Sequence, residues 1–381
     1  MNMERSLHPK SSVPRIYLPR HLGGRGLLSL ERLHNGVVLA TACYVTRSTD
    51  PLICLVREHE NAGKGAFLFK AAIRAAEELS LAIDFTRRCQ QSITELASAQ
   101  LKTHIKAAEV EFVLKLHKDK PMHGIFYKHL EEHGLSQQLT FSFLRSSGLK
   151  SETEGFIMAC QDGVFNTLVY RSRVMGVNVP DARCRACRQA PETLMHLLSA
   201  CRTYAGTAYV HRHNAALRVL YYHLRHLYGI DETPVLPYAP GDIESVVENE
   251  RCRIYWNYSF PTLELVQANK PDIVLLDHQQ KTMFIIEFSA PAEVNIVSKE
   301  EEKRTKYQEL LGQLRRLWPD YAVSLLVMVI GSLGGMRNTL LSTLRAIPVC
   351  RAAAHILAAR MQKAVILGSL RLLRAHDTRT Q

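Results

Sequence analysis

Along this 381-residue chain the rhythm of apolar positions changes near residue 240. Before that point the recurrences are helical. A run opened by Ser29 continues through Ala42, and Phe67, Phe69, Ile73, Leu79, Leu81 and Ile83 recur among Ala, Glu, Lys and Arg, which favour helix. A second helical run spans 92–116 and stops ahead of Pro121. Two more helices are predicted, one over 155–170 and one rich in tyrosine and histidine that ends near Gly229. The cluster Gly23, Gly24 and Gly26 marks a turn or a close backbone approach. The proline-rich stretch 234–241 is the clearest linker. Beyond it strands and helices alternate: strands over 251–258, 272–276 and 283–288, then a charged amphipathic helix over 298–317 stopped by Pro319. The second and third strands are joined by the polar turn Asp277-His278-Gln279-Gln280. A wholly apolar strand follows over 321–330, of the kind buried inside a mixed sheet. Glycines at 331–335 break it, and helices fill the rest to about 373.

This order of elements predicts an α+β protein, with a helical N-terminal region and a mixed sheet near the C-terminus. Its 46% hydrophobic and 22% charged residues are those of an ordinary globular chain. No apolar run reaches eighteen residues and the first residues lack the apolar core of a secretory signal, so an intracellular protein with no membrane partner is expected. A net charge of +12 favours a polyanionic partner without implying sequence readout.

Six of the nine cysteines (43, 54, 89, 160, 252 and 350) are scattered and read as small buried hydrophobes. The other three are clustered as Cys184-x2-Cys187-x8-His196-x4-Cys201. Zinc takes four N or S ligands in a tetrahedron, and the C-x2-C turn supplies two thiolates while His196 and Cys201 complete the set. A closed set of four has no open position for catalysis, so the zinc would be structural. Arg183, Arg185, Arg188 and Arg202 surround the cluster with positive charge that nucleic acid could meet. His211, His213, His223 and His226 read instead as a polar helix face; the first two stand two apart, a poor helical chelate pair.

A second constellation lies past the linker. Asp272 opens one strand and Glu287 closes the next, with fourteen residues between them, so a hairpin brings both acids to one sheet edge. Two hard oxygen donors there can hold Mg²⁺ and support phosphodiester hydrolysis. Nucleases of the PD-(D/E)xK type carry a lysine two residues after the second acid, where this chain has Ser289. Lys303 and Tyr307, four apart on the following helix, offer a substitute, with the ammonium reaching back to the acids.

Together, the Cys184/Cys187/His196/Cys201 cluster, Lys270-Pro271-Asp272, Glu287 and Lys303-Arg304-Thr305-Lys306-Tyr307 resemble the C-terminal half of site-specific non-LTR retrotransposon proteins that carry a restriction-like endonuclease. The resemblance covers about 181–335; the glycine cluster at 23–26 is similar to the thumb and linker that follow the polymerase palm. It implies three segments: a helical thumb-like region over 1–150, a CCHC knuckle region over 151–240, and a PD-(D/E)xK-like α/β nuclease domain over 241–381. Asp272 and Glu287 would bind catalytic Mg²⁺, Lys303 (or Lys306) would serve catalysis, and Tyr307 would support the site. Such proteins nick a DNA target in the nucleus and pass the freed 3′-hydroxyl to a reverse transcriptase, with element RNA as a further partner. No Asp-Asp pair follows an aromatic-alanine turn, so a fragment without the polymerase palm is expected. A zinc-dependent nucleic-acid-binding module without catalysis is the alternative.

Overall fold

The computed structural model describes residues 10–63, 65, 67–83, 85, 98–233 and 243–378. The linker at 234–241, Cys89 and the start of the helical run at 92 lie outside these residues. The chain forms two compact units, Ser12–Pro121 and a larger one of Met122–Gln381 together with Met1–Ser11. The cysteine cluster and the sheet both lie within the larger unit.

The smaller unit is helical. Its helices Leu30–Arg47, Leu68–Glu78 and Ser98–Lys118 follow the predicted pattern, a further helix, Pro51–Ala62, had no counterpart in the sequence reading, and local chemistry sets their ends. Ser29 caps the first by accepting a hydrogen bond from Arg32 N, and Asp50 caps the second, which begins on a proline. The first helix runs to Arg47, past the expected Ala42, because Ala42, Cys43, Val45 and Thr46 are buried. Leu39, Ala42 and Cys43 pack there against Phe69, Ala72 and Ile105. Gly24 meets the expectation of a close approach, since a Cβ there would stand 2.0 Å from the Leu18 carbonyl oxygen.

The larger unit is built on a five-stranded mixed sheet in the order β1 (Val246–Glu248), β2 (Cys252–Trp256), β3 (Ile273–Asp277), β4 (Thr282–Ser289) and β5 (Ala322–Val329). The first four strands run antiparallel, while β4 and β5 are parallel. The short edge strand β1 had no clear sequence signal; three residues are too few to show alternation. The β3–β4 turn is the predicted polar one, with Asp277 Oδ1 accepting from the backbone N–H groups of Gln279 and Gln280 at 3.0 and 2.8 Å.

Both faces of the sheet are covered, which is why β3, β4 and β5 read as near-continuous apolar runs. On one face Ile273, Leu275, Ile286, Phe288 and Met328 pack against helices α1 (Ala208–Leu227), α4 (Thr339–Ala346) and α5 (Ala354–Thr378). On the other Val274, Leu276, Met283 and Ile285 meet Leu310, Leu311 and Leu314 of α3 (Gln308–Leu317). The expected continuous helix over 298–317 is two helices, α2 (Ile296–Lys306) and α3, interrupted at Tyr307, whose ψ of 9° leaves the helical range. The phenol is 3% exposed, and burying it accounts for the break. The helix predicted over 155–170 is likewise two, Ser151–Gln161 and Leu168–Arg173, the second capped by Thr167. No helix among the described residues is long and apolar enough to cross a membrane.

The exit of β5 is tight. A Cβ at Gly331 would stand 2.4 Å from Oε1 of Glu293, a fully buried carboxylate that accepts hydrogen bonds from Leu333 N and Gly335 N. Gly331→Ala should therefore destabilise the protein by about 1–3 kcal/mol, the usual range for overpacking. The check is the midpoint of urea unfolding, with an unchanged midpoint counting against this packing.

Candidate functional site

The cysteine cluster begins in a loop closed on itself. Cys184 N donates to Ala190 O and Arg188 N to Cys184 O, and Arg188 takes the left-handed φ of 59° that this tight turn needs. Opposite, His196–Ala200 forms a π turn. That turn explains the x4 spacing: a π turn bonds residue i to i+5, so His196 and Cys201 come to the same side where an α-helix would splay them. All four ligand atoms lie within 4.8 Å of one another. Cys184 Sγ and Cys201 Sγ are 3.9 Å apart. A tetrahedron with ~2.3 Å Zn–S bonds would set them about 3.8 Å apart, so the group could hold a metal such as zinc. Burial pushes the Cys184 thiol up to about 12, a penalty that a bound cation removes. Burial also lowers the His196 pKa, favouring the neutral ring a metal requires.

The surrounding arginines do not all face outward as expected. Arg185 is committed to Glu192, which has no exposure and also accepts from His376 and from Leu168 N. Arg183 is exposed but pairs with Asp181 at 3.0 Å. Arg188 and Arg202 remain as exposed cations beside the cluster.

At the other site the hairpin register decides the geometry. β3 and β4 pair Ile273 with Ile286, so one step further Asp272 stands opposite Glu287. Asp272 N donates to Glu287 Oε1 at 3.0 Å, and Phe288 N donates to Asp272 Oδ2 at 2.8 Å. Glu287 follows the alternation of Met283 and Ile285, so it faces the α2–α3 side of the sheet. Lys303 on α2 meets it there, with Nζ 2.6 Å from Oε2. Tyr307, held in the break after α2, donates its hydroxyl to Lys270 O at 3.1 Å. The four residues singled out from the sequence thus converge. Lys306 does not reach the acids; its ammonium lies 5.0 Å from the centre of the Tyr307 ring.

The residue that sequence reasoning missed is His213. Assigned to a polar helix face, it instead places Nε2 3.1 Å from both Asp272 Oδ2 and Phe288 O. One signal was available: His213 is in helical register with Leu217, Leu220 and Leu224, which are fully buried on α1.

Burial and charge then divide the two carboxyls. Burial and the neighbouring Asp272 charge raise the Glu287 pKa, with Lys303 opposing them. Burial disfavours the Asp272 charge too, yet the hydrogen bond and charge of His213, with Lys303 and Phe288 N, hold its pKa below the usual value. Asp272 and His213 border a cleft of about 450 Å³ that Trp256, Asn257, Ser289 and Lys299 also line. No protein-family model matches the chain, nor does any curated protein at significant sequence similarity.

Glu192 gives the surroundings of the cysteine cluster a pH signature. Burial opposes its charge, but hydrogen bonds from His376 and Arg185 outweigh burial and lower its pKa from 4.5 to about 2. A depressed carboxylate contributes stability that is present above about 4.5 and lost as pH falls toward about 2. The shift corresponds to roughly 3 kcal/mol. Glu192→Gln should cost stability of that order at neutral pH, and the gap to wild type should close across that acidic window. Chemical unfolding at a series of pH values reads it directly; a gap independent of pH would contradict this role.

Proposed function

We propose that this protein is a divalent-metal-dependent endonuclease that nicks DNA, with a structural zinc knuckle beside its nuclease site. One observation carries the reading: Asp272, Glu287 and the Lys303 ammonium converge at one end of the β3–β4 hairpin although no lysine follows Glu287 in the strand. The lysine arrives from α2 instead, and in this reading it would do the work of a strand lysine.

The donors suit a hard cation such as Mg²⁺. Both acids supply oxygen, and Asp272 Oδ1 carries no protein hydrogen bond among the described residues. When bound there, the cation would supply Lewis-acid stabilisation of charge on the scissile phosphate. The chain's own groups do the rest. Lys303 brings a positive charge to the two acids, suited to orienting a nucleophile or offsetting phosphate charge. Tyr307 fixes the loop that carries Lys270 and Asp272 by donating to Lys270 O. Lys299 and Asn257 line the approach, where a nucleic-acid backbone would lie. The net charge of +12 favours that polyanion.

In the wider setting this reading adopts, the nick serves target-primed reverse transcription by a retrotransposon-derived protein acting in the nucleus. DNA is the substrate and element RNA an additional partner.

On supercoiled plasmid with Mg²⁺, wild type should produce open circles, and Asp272→Ala should reduce the rate by at least about a hundredfold. Lys303→Met should lose about as much, while Lys306→Met should stay within severalfold of wild type. If no chain nicks while all retain salt-sensitive DNA binding, the catalytic reading fails. A zinc-dependent nucleic-acid-binding module then stands in its place.

A further inference from the structure

Arg212 and His213 are neighbours on α1, and their side chains serve two different sites. Consecutive helical residues diverge by about 100°, so two adjacent positions can grip two separate elements. Arg212 is 2% exposed. One arm of its guanidinium donates to Leu198 O, inside the π turn between His196 and Cys201, and to Ala290 O, three residues past Glu287, each at 2.8 Å. The other arm donates to Ser369 Oγ of α5 at 3.1 Å. Beneath the guanidinium, 5.1 Å away, lies the ring of Tyr209. The Tyr209 hydroxyl ties the same turn together, donating to Leu197 O and His196 O and accepting from Cys201 N at 3.0 Å. His213, one residue on, holds Asp272 Oδ2 and Phe288 O.

We infer that Arg212 and His213 are positioning residues coupling the zinc knuckle to the Asp272–Glu287 edge, so that an intact ligand turn sets that edge's affinity for a divalent cation. The inference rests on the nuclease reading for the identity of the edge, and adds its regulation by the knuckle. The physical reason lies in Arg212. A guanidinium this deep is tolerated only with its acceptors in place, and two of them belong one to each site. If the ligand turn loosens, Leu198 O moves away and the cation must re-pair. Its hold on Ala290 O, at the exit of β4, then changes with it. Outer partners of this kind typically change metal affinity by 10–100-fold.

The test uses the full chain and reads Mn²⁺ binding by calorimetry and electron paramagnetic resonance. Zinc content and circular dichroism are recorded for each variant as controls on folding. Wild type should bind one Mn²⁺ that Asp272→Asn abolishes. Arg212→Lys keeps the charge but cannot span three acceptors, and it should weaken Mn²⁺ binding by about tenfold or more while retaining its zinc. Tyr209→Phe removes one oxygen from the knuckle side and should weaken Mn²⁺ in the same direction. It carries the test alone should Arg212→Lys fail to fold. Combining either change with His213→Ala should be less than additive. Since coupling is reciprocal, saturating Mn²⁺ should raise the zinc affinity measured by equilibrium competition with a chelator in wild type but not in Arg212→Lys.

Mn²⁺ affinities within twofold of wild type in the folded variants, with Asp272→Asn still abolishing binding, would overturn the coupling and leave the nuclease reading standing. Absence of any Asp272-dependent Mn²⁺ site in wild type would overturn both.

Discussion

A carboxylate without solvent exposure, Glu287, stands near the end of β4, and the surroundings of the site follow from the need to compensate it. A buried ion is tolerated only where partners supply charge and hydrogen bonds. Here Lys303 supplies the charge and Asp272 N a hydrogen bond. The lysine must come from α2, because Glu287 faces the side of the sheet that this helix and α3 cover. Its ammonium is in turn stabilised in its charged form by both carboxylates, which outweigh its own burial. Removing one member would leave the others paired too poorly for their depth.

A second buried charge, Arg212, plays the corresponding part between the sheet and the cysteine cluster. Burial lowers its pKa to about 10, so it stays protonated at neutral pH with two backbone carbonyls and a serine as its acceptors. The cysteine cluster is anchored once more through the Glu192–Arg185–His376 network, which reaches α5, and Tyr204 donates or accepts at the far nitrogen of His376 at 2.8 Å. These links explain why the cluster and the sheet form one compact unit although the chain connecting them carries a proline-rich stretch.

Much of this was legible along the chain. The strands β2 to β5 were visible because alternation and continuous apolar runs are short-range consequences of packing a sheet on one or both faces. The four members of the cluster were visible because cysteine and histidine at that spacing stand out along a chain. Asp272 and Glu287 were visible because a hairpin turn of recognisable polarity fixes which residues face each other. Three features were not. The break at Tyr307 depends on burying a phenol against a loop 37 residues away, which no local propensity reports. The commitment of Arg185 to Glu192 turns an apparent surface cation into a half-buried, paired one. His213 looked like one polar residue among several on α1.

By itself, then, the sequence determined the element order, the hairpin that pairs the two acids and the composition of the cysteine cluster, because each is written in contacts between residues near in the chain. Only the tertiary structure decided that Lys303 rather than Lys306 reaches Glu287, that His213 meets Asp272, and that a π turn aligns His196 with Cys201. Those outcomes rest on which helix face a sheet buries and where the backbone breaks to bury it. That balance is struck between segments far apart in the chain and leaves no local pattern to read.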